Sequence, residues 1–143
     1  MTTKFENLTL VDAMRAIQAA VAKADAFRVP CSVAVVDAGG HLLGFARQDD
    51  AMPGSAELAI NKAYTARIFN NSTEALGRIA QPGAELYGIQ QSHAGRVVMF
   101  GGGLPICIGG VVVGAVGVSG GSVAQDVEIA ETGTSLFVDR ATR

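Results

Sequence analysis

Apolar side chains recur along this chain with two periods, and the changes of period mark out its elements. Between Thr9 and Pro30, Leu10, Met14, Ile17, Val21 and Ala24 return at the spacing of one face of an α-helix. Thr9 followed by Asp12 is a capping-box start, and Arg15, Gln18 and Lys23 fall on the wet face. Valine-rich Cys31 to Asp37 reads as a strand, Ala38-Gly39-Gly40 as a turn, and His41 to Arg47 as the returning strand. Pro53 opens a second helix reaching Asn70, with Ala56, Ala59, Ala63 and Ala66 on one closely packing face. Asn71 and Glu74 suit the start of a short helix from Ser72 to Ala80, which Pro82-Gly83 breaks. Glu85 to Ser92 reads as one or two further helical turns, and Arg96 to Phe100 as a short strand. A second capping box, Ser122 with Gln125, starts the last helix. Its stripe is Val123, Val127, Ala130, Thr134 and Phe137, and Asp126, Glu128 and Glu131 form an acidic side. Asp139 to Arg143 reads as a frayed tail.

Between the last two segments lies an uncharged, glycine-rich stretch from Phe100 to Gly121. It predicts strand, tight turn, strand, with Gly109-Gly110 as the turn and a glycine loop at each outer end. Val111 to Val118 is apolar on both pleat faces, as in a strand covered on both sides. Gly114 and Gly117 suit a helix, ligand or chain lying close to that backbone. The elements together predict one α+β domain over residues 1–143, with a mainly antiparallel five-stranded sheet and flanking helices.

Composition narrows the function classes. A chain 49% hydrophobic and 17% charged is a well-buried globular domain rather than a disordered one. A net charge of −2 without a Lys/Arg cluster argues against nucleic acid as partner. The amino terminus has no signal-peptide pattern, so a cytoplasmic protein is expected, and no stretch suits a membrane helix. Cys31 and Cys107 lie in apolar strand sequence and read as buried thiols, with no metal-binding spacing.

The candidate site follows from the last hairpin. The loops Gly101-Gly102-Gly103 and Ser119-Gly120-Gly121 flank it at the end opposite its turn, so they lie together. Bare backbone N–H groups there, with Lys62 and Arg47, suit a carboxylate or propionate, and Pro105 starts the outgoing strand beside them. Each residue also has a plain reading. The glycines make turns or an oligomer interface, Asp37 caps its turn, and Asp49 and Asp50 favour the start of a helix. Lys62, bordering the alanine face, either reaches out to water or points into a crevice. Two classes of function follow: a module binding a small anionic ligand, or a cofactor-free hydrolase, deaminase or isomerase acting on a small carboxylate. In the second, Lys62 is the acid–base group or clamp and Asp49 or Glu128 the base. Ser119 has no histidine at a readable spacing, which argues against a serine hydrolase.

Several motifs resemble one family. They are Phe100-Gly-Gly-Gly-Leu-Pro-Ile, Gly114-Ala-Val-Gly-Val-Ser-Gly-Gly, Gln125-Asp126 with Ala130, Val35-Val36-Asp37-Ala38-Gly39-Gly40, Arg47-Gln48-Asp49 and Asn61-Lys62-Ala63-Tyr64-Thr65-Ala66. In this order, over nearly the whole chain, they are similar to the GlcG/HbpS-like, or haem-degrading domain, family. The resemblance implies a profilin-like fold, homo-oligomers built from dimers up to octamers, and haem or a catabolic intermediate as ligand. In some haem-binding relatives a histidine from the first helix region holds the iron. The first helix here has none, and the chain's histidines are His41 and His93.

Overall fold

The computed structural model describes residues 1–137. In chain order the elements are α1 (Leu10–Phe27), β1 (Ser32–Asp37), β2 (Leu42–Arg47), α2 (Gly54–Ile68), α3 (Thr73–Arg78), β3 (Gly103–Ile108), β4 (Val111–Ser119) and α4 (Val123–Ser135). Two single 3-10 turns, Ile89–Gln91 and His93–Gly95, lie between α3 and β3. The sheet is antiparallel throughout, in the order β2-β1-β4-β3. Helices α1 and α4 pack on one face and α2 on the other. The α+β class and flanking helices are as expected.

The sheet has four strands, not five. Arg96 to Phe100 is not a strand, because it is tied to α2 instead of to a sheet edge. Val98 N donates to Thr65 Oγ1 at 3.1 Å, and Thr65 Oγ1 donates to Arg96 O at 3.3 Å. Val97 and Val98 are buried against that helix all the same, which is why the segment reads apolar.

Small residues set the spacing between layers. Ala59, Ala63 and Ala66 of α2 are buried on Ala34, Val36 and Ala115 of the sheet. A Cβ at Gly117 would lie 2.0 Å from Ala59 O, so only glycine lets the helix approach there. On the opposite face α1 also buries alanines, namely Ala13, Ala16, Ala20 and Ala24. The larger Leu10 and Met14, expected inside, are exposed together with Val11. The alanine side of α1 is the one that meets the layer beneath it: a Cβ on Gly133 of α4 would lie 3.3 Å from Ala16 O, and one on Gly44 of β2 would lie 2.9 Å from Ile17 Cδ1.

Local signals fix the helix starts. Thr9 and Ser122 make complete capping boxes with Asp12 and Gln125. Ser72, not Asn71, caps α3, accepting from Ala75 N at 3.0 Å. Gly109 and Gly110 both have positive φ in the last hairpin turn. Cys31 is buried as expected, but Cys107 is exposed. It sits on the edge strand β3, where a register shift between Ile106 and Cys107 alters the side-chain alternation. Asp139 to Arg143 lie outside the described residues.

Candidate functional site

Lys62 is the largest fully buried side chain of the described protein, with 0% of its surface exposed. It sits beside Ala63 on the sheet side of α2, where the small-residue packing carries it inward. Its Nζ donates to Val118 O at 2.8 Å and to Asp126 Oδ2 at 3.1 Å. The same Nζ lies 4.9 Å from the centre of the Phe100 ring, a cation–π distance. Glycine makes the space. Gly102 has φ +126°, and a Cβ on it would lie 2.7 Å from Lys62 Nζ. A Cβ on Gly103 would lie 2.4 Å from Lys62 O.

Asp126 comes from the first turn of α4, where the helix dipole favours a negative charge. Its Oδ1 accepts from Gly121 N at 2.9 Å, and the Gly120 N–H supports the same carboxylate. The second glycine loop does present its N–H groups to an anion, and in this structure that anion is the side chain of Asp126. In the first loop, Gly103 N donates to Thr73 Oγ1 at 2.9 Å, and Gly102 O accepts from Val118 N at 2.9 Å. Burial pushes the Lys62 ammonium below its ordinary pKa, and the charge of Asp126 opposes that fall. Burial pushes the Asp126 carboxyl up, against the pull of Lys62 and the loop N–H groups.

A cavity of about 330 Å³ lies between α2 and the segment 95–100, and Phe100 connects it with the Lys62 ammonium. Glu57, Leu58, Asn61, Met99 and Phe100 line it. Phe100 is 44% exposed, and its ring borders both the cavity and the buried ammonium.

The structure gathers only part of the expected set. Lys62 and the loops at Gly102 and at Gly120-Gly121 come together around Asp126. Ser119 is buried between them and pairs with Ser32 of β1. Gly101 packs against Val123 and Val127 of α4, and Pro105 sits in β3 opposite Ala115. Arg47 and Asp49 are exposed and line a different cavity, of about 500 Å³, with Asp25, Arg28 and Gln48. Glu128 is exposed on α4. Asp126 and Phe100 are the residues that sequence reasoning overlooked. Asp126 had a signal: Ile129 and Ala130 follow it at helical spacings of three and four and are buried, so it shares their face. Among the described residues, no group of three or more His, Cys, Asp or Glu is placed to hold a metal.

The family described as haem degrading protein HbpS-like matches residues 8–135. The chain is 47% identical over 131 residues to the "Uncharacterized 15.0 kDa protein in dhaT-dhaS intergenic region" of Citrobacter freundii, covering 92% of each. Among solved structures it is similar to Klebsiella pneumoniae protein ORFY, with TM-score 0.93, 37% identity and coverage of 95% and 94%. It is also similar to the protein of the PduOC:heme complex, with TM-score 0.86, 41% identity and coverage of 90% and 93%. The chain therefore belongs to the HbpS-like family, the GlcG/HbpS-like family that its motifs resemble.

Proposed function

We propose that this protein binds a small organic carboxylate in the cavity between α2 and the segment 95–100, with Lys62 as the cation that receives it. One observation carries the reading: a fully buried lysine, paired with a buried aspartate, lies under a half-exposed aromatic ring at the edge of a cavity. Such a pair adds little stability compared with apolar packing of the same volume, so its placement next to a cavity points to recognition. In this reading the Phe100 ring swings away and the ligand carboxylate takes its place against Nζ. The glycine loops hold Asp126 and keep side chains clear of Lys62. Arg47, Asp49 and Glu128 take no part.

The family and the haem complex of a relative make haem a candidate ligand. Proteins hold haem iron with His, Cys or Tyr, or with Met paired to His. Met99 is the one such side chain lining this cavity, and no histidine accompanies it. The residues at Lys62 do not fit haem, and the proposed ligand is a metal-free carboxylate, such as a catabolic intermediate.

A second reading, as a cofactor-free enzyme, is favoured by the opposed displacements of the two pKa values. A lowered ammonium and a raised carboxyl exchange a proton more readily than an ordinary Lys–Asp pair. Asp126, rather than Asp49 or Glu128, is then the base beside Lys62. Either reading includes a cytoplasmic homo-oligomer, supported by the exposed Leu10, Val11 and Met14 on α1. Among the described residues no helix is long and apolar enough to cross a membrane.

Native mass spectrometry of protein purified from its source tests this. Expected are a multiple of the 14.7 kDa chain and a retained carboxylate. The ligand is expected to disappear in the double variant Lys62→Met, Asp126→Leu, which removes both charges together. An unchanged ligand in that variant would place binding elsewhere, and conversion of the ligand by wild type alone would select the enzyme reading.

A further inference from the structure

A second cation stands at the other end of the sheet. Arg67, near the end of α2, is half-buried and reaches the turn between β1 and β2. Its Nε donates to Ala38 O at 2.5 Å and its Nη1 to Asn70 Oδ1 at 2.6 Å. Both partners are neutral. The ion pairs among the described residues are Lys62–Asp126 and Arg78–Glu74, and Arg67 is in neither.

A guanidinium stays protonated, and a charge withdrawn from water ordinarily meets a counter-charge. The acids nearby do not supply one. Asp37 lines the space beside Arg67, but its Oδ1 accepts from Gly39 N at 2.9 Å and His41 N at 3.0 Å. Glu6 lines the space on the other side without an ion pair. Cavities of about 340 Å³ and 380 Å³ flank the guanidinium. The first is lined by Phe5, Asn7, Asp37, His41 and Arg67 itself. Asn7 Oδ1 accepts from Ala38 N at 2.7 Å, which fixes the amino-terminal strap over this end.

We propose that Arg67 and His41 form a second anion site, distinct from Lys62, for a small molecule bearing a carboxylate or phosphate group and an apolar body. Two hydrogen bonds hold the guanidinium plane, leaving its remaining N–H groups for the oxyanion. His41 adds an imidazole donor and Phe5 an apolar flank. The site stands apart from Lys62 because Asp37 and Ser32 lie at opposite ends of β1, and Ser32 pairs with Ser119 beside Asp126.

Titration with benzoate and, separately, with inorganic phosphate, followed by ¹H–¹⁵N NMR, tests it. Saturable shifts are expected at the Arg67 Nε–H and at the amides of Ala38, Gly39 and His41. The probe that saturates names the acid class, and an advantage for benzoate reports the apolar flank. Arg67→Gln should weaken binding by about tenfold or more, the effect of losing a hydrogen bond to a charged group. His41→Ala, at an exposed position, should weaken it less, and Glu128→Gln, exposed on α4, should leave it unchanged. Were neither probe to saturate, or Arg67→Gln to bind as wild type, the site would be refuted. A change in subunit number in Arg67→Gln without loss of anion binding would likewise refute it, giving Arg67 to a neighbouring copy.

Discussion

Lys62 Nζ and Asp126 Oδ2 stand 3.1 Å apart with side-chain exposures of 0% and 4%, joining α2 to α4 through the glycine loops. Removing one partner of such a pair strands the other charge. Lys62→Met is expected to cost about 3–5 kcal/mol of unfolding free energy. The double variant Lys62→Met, Asp126→Leu should recover most of that loss. Urea unfolding of the two singles and the double gives the coupling directly, and additive losses would mean that the two charges do not depend on one another.

The two cysteines should behave differently. Cys107 is exposed, whereas Cys31 is buried and its thiol is pushed up to about 11, chiefly by burial and then by Asp126 and Asp25. One thiol per chain should react rapidly with a disulfide reagent at pH 8, and Cys107→Ser should abolish that phase. The unfolded thiol ionises first, so native stability should fall as pH rises from about 9 towards 11. Cys31→Ala should lose this alkaline component, whatever it costs in packing. An unchanged alkaline limb would show that Cys31 does not set it.

Gly117→Ala brings a methyl group to within 2.0 Å of Ala59 O unless α2 moves. Overpacking of this kind costs about 1–3 kcal/mol or more. Thermal unfolding should show the loss, and a neutral result would mean that α2 shifts freely on the sheet. Gly109→Ala, which meets only its own backbone strain, serves as comparison.

Haemin should give a broad, non-saturating spectrum. His93 packs edge-on against Tyr64 and Phe69, with Nδ1 2.9 Å from Ser92 Oγ, and α1 has no histidine. A sharp Soret band at one haem per chain, lost in His41→Ala or His93→Ala, would overturn this and identify the iron ligand.

Much of the fold was legible because its signals are local. Capping boxes at Thr9 and Ser122, the Gly109-Gly110 turn and the alanine face of α2 each depend on residues close in sequence. The errors arose where a distant partner decides. Leu10 and Met14 fit a helical stripe, but the side of α1 that meets the sheet and α4 carries Ala13, Ala16, Ala20 and Ala24. Arg96 to Phe100 has strand composition, yet Thr65 takes its hydrogen bonds. At the site, the glycine loops and Lys62 were visible as candidates. That the loop N–H groups serve Asp126 was not, because Asp126 also fitted an acidic, solvated side of α4.

The strand order β2-β1-β4-β3 has a consequence for how the chain assembles. Each outer pair is a hairpin closed by a short turn, while the central β1–β4 ladder joins the two halves of the chain. The hairpins can form early, but their docking must close a long loop, and that closure should limit the folding rate. Neither half covers its own inner strand edge. A chain cut in the segment around Pro82-Gly83 should therefore yield two fragments that are poorly ordered alone and reconstitute the native sheet when mixed.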